Sequence, residues 1–367
     1  MPASIRRRFL IVVFGVTSGL FAGAPPSPPL KDAQALAQAA TGEERIELLQ
    51  EVATTLARRG PAQAALDLAA QLPTGRRAMV VLELALHLPD TARTQTEQLA
   101  LDGQTLKSLT PDWRKARLAR LLARVQARLG NFEAATALAH TVPDTEERAF
   151  AQQEITAALC RAGLVEPARQ LAGTIEDSRR YGTYRQKSAA LADVARTLHR
   201  RGNPEEAATL LAQAELLLPK KPGWSDGLAL VVLAEAFHAC GDAGKARDLM
   251  ARAEALAQTI AGSWKAAELA RVAAGWRTCD DAARAHAALE AAVQFLAGLN
   301  PWARAEEAAP FARAAAQAGD AVQARAALLA TLDDAQRAEN RDAWRKPHVR
   351  TLLAWAELFG DAPAEKE

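Results

Sequence analysis

Residues 233–246 read LAEAFHACGDAGKA. A large apolar residue beside a small one, Leu233-Ala234, stands eight residues before Gly241. Asp242 follows the glycine, and Ala246 stands five residues after it. Glycine ends a helix by adopting the left-handed conformation that other residues resist, and an aspartate after it can accept hydrogen bonds from the free N–H groups that open the next helix. The stretch therefore predicts helix, corner, helix.

The same grammar recurs along the chain. Gly followed by Asp or Asn marks Gly130, Gly202, Gly241, Gly319 and Gly360; Gly60 and Gly163 hold the same place with other followers, and Asp280 fills it in TCDDAARA. From 163 through 202, 241, 280 and 319 every step is 39 residues. Eight residues before the corners stand Val52, Leu122, Ile155, Val194, Leu233, Val272, Phe311 and Leu352, and five after them an alanine recurs at 65, 135, 168, 207, 246, 285 and 324. Large beside small lets neighbouring helices approach closely, and the invariant alanine predicts a crossing with no room for more. In GNPEEA, residues 202–207, Asn203 is expected to cap, Pro204 to take the first helical position and Glu206 to complete a capping box.

This pattern resembles the tetratricopeptide repeat, with departures: the period is 39 rather than about 34, the tryptophan of that family's first helix is absent from its usual place, and the spacing between residues 60 and 130 is irregular. The resemblance implies an all-α fold, a right-handed α-solenoid of about eight to nine antiparallel hairpins whose first helices line a concave surface. Within the irregular interval RRAMVVLELALHL, residues 76–88, stopped by Pro89, is expected to be the first helix of one further hairpin. The last repeat is expected to be truncated, leaving Trp355, Leu358 and Phe359 without a covering helix.

Composition agrees with an all-helical chain: 49% of residues are hydrophobic but only 5% aromatic, and alanine and leucine dominate. The N-terminus is a separate object. MPASIRRR is basic, FLIVVFGVTSGLF is apolar and broken by Gly15 and Gly19, and Ala22-Gly23-Ala24 is a small-x-small cleavage site. Residues 1–24 therefore predict an export signal cleaved after Ala24, residues 25–30 a Pro-rich leader, and residues 31–367 a single repeat domain in the periplasm or outside the cell. Arg6-Arg7-Arg8-Phe9-Leu10 also resembles the twin-arginine export pattern, with Ile5 where that pattern has Ser or Thr. Cleavage lowers the net charge from +2 to −1, which offers no global case for nucleic acid or anionic membrane as partner. No integral membrane segment is expected after cleavage.

The stretch FHACGD, residues 237–242, looks reactive but reads as architecture. His238 and Cys240 are two apart on one helix and point to different sides, so no metal site is expected. Cys240 and Cys279, one period apart, would sit on neighbouring helices about 8–10 Å apart, beyond the roughly 7 Å reach of a disulfide. They are expected to stay thiols. No HExxH, GxSxG, phosphate loop, GxGxxG or CxxC is present, so no catalytic residue and no cofactor is assigned.

Two constellations carry functional expectations. Two residues before the corners stand Arg58, Arg128, Arg161 and Arg200; six before them stand Arg124, Arg196 and Arg313, with Glu235 breaking the series. Cations there complement helix dipoles, but the confinement of the first set to the N-terminal half, with a second set one turn back, predicts an arginine-lined groove with His199 and His238 on its wall, suited to an acidic peptide segment or carboxylate-bearing polymer. The second is a row, Trp113, Trp224, Trp264, Trp302 and Trp344, each 16 or 17 residues before a corner. These indoles either clamp the hairpin ends or form an exposed strip that stacks sugar rings. The expected function is a non-enzymatic exported scaffold binding a protein or peptide. The alternatives are a cell-envelope helical toroid that binds or processes polysaccharide, and a structural scaffold self-associating through its uncovered C-terminal end.

Overall fold

The computed structural model describes residues 29–59, 62–87, 112–262 and 264–360. The expected signal, most of the Pro-rich leader, the corner at Gly60, Pro89 and the residues after Gly360 lie outside them. The described residues are all-helical, with no strand. The helices are α1 (Pro29–Ala39), α2 (Gly42–Arg59), α3 (Ala62–Ala69), α4 (Thr74–His87), α5 (Asp112–Arg128), α6 (Phe132–Thr141), α7 (Thr145–Arg161), α8 (Val165–Thr174) and α9 (Tyr184–Arg200). They continue as α10 (Pro204–Leu217), α11 (Gly227–Ala239), α12 (Ala243–Gln258), α13 (Lys265–Thr278), α14 (Ala282–Ala297), α15 (Pro301–Gln317), α16 (Ala321–Arg337) and α17 (Arg341–Phe359), with a single 3-10 turn at Trp224–Asp226.

Every described corner adopts the expected conformation. Gly130, Gly163, Gly202, Gly241, Gly319 and Gly360 have φ between 77° and 90°, and Asp280, in the glycine's place, is held at φ 60°. The residue after the corner donates its N–H five residues back, as in Asn203 to Leu198, Asp242 to Phe237, Asp281 to Trp276 and Asp320 to Ala315, each 2.9–3.1 Å. These bonds satisfy carbonyls that a helix end would otherwise leave open. At the corners the caps differ. Asp242, Asp281 and Asp320 accept from the N–H three residues on, whereas Asn203 makes no such bond, and Glu206 pairs with Arg169 of α8 instead of closing a capping box. Asn300 and Asn340 cap first helices by the same kind of bond as the aspartates. Pro204 takes the first helical position as expected.

The repeated core positions are buried together. All eight residues that precede the corners by eight are buried, and so are the alanines at 65, 135, 168, 207, 246, 285 and 324. Phe237, Trp276 and Leu198 occupy one equivalent buried position, where the Trp276 indole N–H donates to Glu254 at 3.0 Å. The three cysteines are free thiols.

The first helices pack side by side in the order α2, α4, α5, α7, α9, α11, α13, α15, α17, and the second helices pack on them rather than on one another. The array does not remain an open superhelix: α17 packs on α2, and α1 packs on α17 as the missing second helix of the last hairpin. Leu30, Ala33, Leu48 and Val52 from the start of the chain share one core with Val349, Leu352 and Leu353 from its end. Trp355 is buried, and Leu358 and Phe359 pack against the main core. The expectation that Trp355, Leu358 and Phe359 stand uncovered is corrected: they pack into the main core, and α1 packs on α17 in the place of a second helix.

The seam repeats the contacts found inside the array. Arg201, one residue before a corner, donates to the Gly163 carbonyl of the preceding corner at 2.6 Å. Arg59, one residue before position 60, donates to the Glu357 carbonyl at 2.9 Å. Along the seam Arg345 meets Glu44 at 3.3 Å, Lys346 meets Glu47 at 2.7 Å and Arg350 meets Glu51 at 2.7 Å. The ring is closed in register.

Candidate functional site

Closure turns the first-helix faces into the wall of a central channel. A hollow of about 600 Å³ beside the seam is bordered by α2, α15 and α17, by Arg117 of α5 and by Trp264, with Trp302 among the α15 residues. A larger hollow, about 1010 Å³, lies elsewhere, between the second helices α6 and α8, and is mostly apolar.

The predicted arginines converge on a different stretch of the inner wall, near the C-terminal ends of α5, α7 and α9. A hollow of about 670 Å³ is bordered by Arg124, Arg128 and Arg161 with His87 and Glu154. The next, about 380 Å³, is bordered by Arg161, Arg196 and Arg200 with Asp193. Arg161 and Ala157 belong to both, so the two hollows form one strip carrying five arginines and two carboxylates.

The arginines are not equivalent. Glu154 is taken by Arg120 at 2.8 Å, leaving Arg124 at 3.8 Å, and Arg196 pairs with Asp193 on its own helix. Arg200 donates to Thr197 at 3.2 Å. Arg128 and Arg161 are exposed and have no acidic partner among the described residues. A purely helix-end role would be served by bonds to the last carbonyls; neither makes one. His87 joins this wall as a residue that spacing did not single out. Burial lowers its pKa, and Arg58, Arg128 and Arg124 lower it further against the pull of Glu83, so it stays neutral near pH 7.

Four expected members are placed otherwise. Arg58 belongs to the seam, where it meets Glu83 at 2.7 Å and Glu357 at 3.7 Å, and Arg313 meets Glu357 at 2.6 Å. His238 reaches sideways to Asp280 at the next corner, 3.2 Å away, as Arg277 does to the Ala318 carbonyl, so this register faces the neighbouring turn and not the groove. His199, in the same register, is half-buried with Nδ1 lacking a partner and borders neither hollow. Glu235 ends the cationic strip. Burial raises its pKa, opposed by Arg196 and a hydrogen bond with Thr278.

The tryptophan row shows features of both alternatives, exposed indoles and one indole contact between neighbouring first helices. Trp224, Trp264 and Trp302 are 69%, 62% and 42% exposed, while Trp344 is half-buried edge-on to Trp302 with centroids 5.7 Å apart. The side chain of Trp113 lies outside the described residues.

No thiol here is primed as a nucleophile. Burial raises the pKa of Cys160 and Cys240, and burial with Glu235 and Asp280 nearby pushes Cys279 to about 11. Among the described residues no cluster of His, Cys, Asp and Glu is arranged to hold a metal ion, and no helix is long and apolar enough to cross a membrane. In comparison with known proteins, no family model matches this chain and no curated protein matches it.

Proposed function

We propose that this protein is an exported, tetratricopeptide-like hairpin array, closed into a ring, that captures an acidic peptide segment or carboxylate-bearing polymer on its inner wall. The observation that carries the reading is the continuous strip joined at Arg161, in which Arg128 and Arg161 face open hollows without acidic partners. Guanidinium forks bind carboxylates by paired, charge-assisted hydrogen bonds, and a wall with spare donors suits a ligand that brings the acceptors. The equivalent positions on α11, α13, α15 and α17 are Ala239, Thr278, Gln317 and Leu358, so the cationic sector has two ends and would orient a bound segment. Export is supported by the basic, apolar and small-residue order of residues 1–24. The 39-residue period and the corner geometry support the repeat assignment.

The test is binding of a poly-glutamate peptide to the protein and to R128S, R161S and R200S, singly and combined. Affinity is expected to fall roughly tenfold per arginine removed and to weaken with salt. Equal retention by the triple variant, folded by circular dichroism, removes the reading.

A further inference from the structure

One rim of the ring, formed where α9 and α11 begin, exposes Tyr181, Leu216, Trp224 and Leu228 on segments joined to one another, whereas the exposed Trp264 and Trp302 border the hollow beside the seam. We propose that this rim docks on an anionic lipid surface. The arginine strip lies at the other end of the same helices, so the two sites are independent.

The rim is built to hold these groups outward. The Tyr184 hydroxyl donates to buried Asp226, which also accepts from the Gly223 N–H at 2.8 Å, and Arg185 donates to Ser225 at 2.8 Å. These bonds fix the 3-10 turn and leave Trp224, two residues before Asp226, standing 69% free of the protein. Indole and phenol rings have an apolar body and a polar edge, which places them at the headgroup level of a bilayer.

The neighbours of these rings identify the occupant. Leu216, 82% exposed at the end of α10, and Leu228, 52% exposed at the start of α11, have no flat face for a sugar but suit the boundary with acyl chains. Between them run Lys220 and Lys221, both exposed and without a partner among the described residues, and beside Tyr181 stand the exposed Arg179 and Arg180. The nearby exposed acids are Glu176 and Asp177, so cations prevail on this sector although the whole chain is nearly neutral. Basic side chains at this level attract anionic headgroups. The rim would lie on the bilayer without spanning it.

The test is co-sedimentation of the purified protein with vesicles of phosphatidylglycerol and phosphatidylcholine in equal parts, against phosphatidylcholine alone. Binding to the anionic vesicles is expected, with loss at high salt. K220E/K221E should weaken it roughly twentyfold, and W224S/L228S should weaken it at least as much, with thermal melting unchanged in both. Absence of binding by the folded protein overturns the inference. So does unchanged binding by the rim variants, which would place attachment elsewhere in the chain, the apolar residues 9–21 included. Retention on immobilised polysaccharide that requires Trp224 and Trp264, with no vesicle binding, overturns it in favour of a glycan platform.

Discussion

Glu307 is the residue least at ease in the core. It is buried on α15 with Oε2 lacking any partner, and burial, with Glu306 and Glu268 nearby, raises its pKa from 4.5 to about 7 against a hydrogen bond from the Ala267 N–H in the first turn of α13. Between these two values the folded state holds a proton that the unfolded state has released, so stability falls as pH rises through this window. The full cost at pH 8 is on the order of 3 kcal/mol. Glu307→Gln should flatten urea-unfolding stability between pH 5 and 8 and raise it at pH 8 by about 1–3 kcal/mol, with little change near pH 4.5. A variant that keeps the wild-type slope would show that another group causes it.

At the scale of helices, the seam between α17 and α2 is a row of opposite charges laid over an apolar core. Each exposed pair contributes only about 0–1 kcal/mol, but Lys346 and Arg350 engage Glu47 and Glu51 together. K346E/R350E should therefore destabilise by about 1–3 kcal/mol, and adding E47K/E51K should restore at least half, measured as a double-mutant cycle in urea. Additive losses without rescue would mean that the pairs do not couple.

The seam also marks what could be read from the chain and what could not. Corners and alanine crossings were legible because they are local: Gly241 and Ala246 report on one turn and one crossing. Closure depends instead on a small rotation per hairpin compounded around the ring, which no single period reveals. A signal was present in the unpaired amphipathic segment PLKDAQALAQA before the first hairpin, matched by an unpaired first helix at the end, with Glu44, Glu47 and Glu51 set against Arg345, Lys346 and Arg350. The groove was legible in its arginines. Its histidines were misplaced because a shift of one residue turns a side chain by about 100°, from the channel to the neighbouring corner.

At the scale of the whole molecule, closure changes how the array should come apart. An open repeat array can fray from its ends, since each repeat touches only its neighbours; here each terminal hairpin has neighbours on both sides. Ala33 is fully buried in α1 at the core shared with α17. Ala33→Asp would bury an unpaired charge there and should cost more than about 3 kcal/mol. Amide exchange should then quicken in α2 and α17 together, with melting of the whole chain at a lower temperature; loss of protection confined to α1 would contradict a cooperative ring.

The placement of α1 has a consequence in time. It would leave the ribosome well before the α17 face that it covers, and Glu44 and its partner Arg345 are 301 residues apart. At usual synthesis rates that separation is on the order of tens of seconds, during which Leu30, Leu48 and Val52 lack the part of their core that Val349, Leu352, Leu353 and Ala356 later supply. Contacts this distant also form slowly. The interval between the emergence of α1 and the arrival of α17 is therefore when the nascent chain is most exposed to aggregation and most dependent on a chaperone.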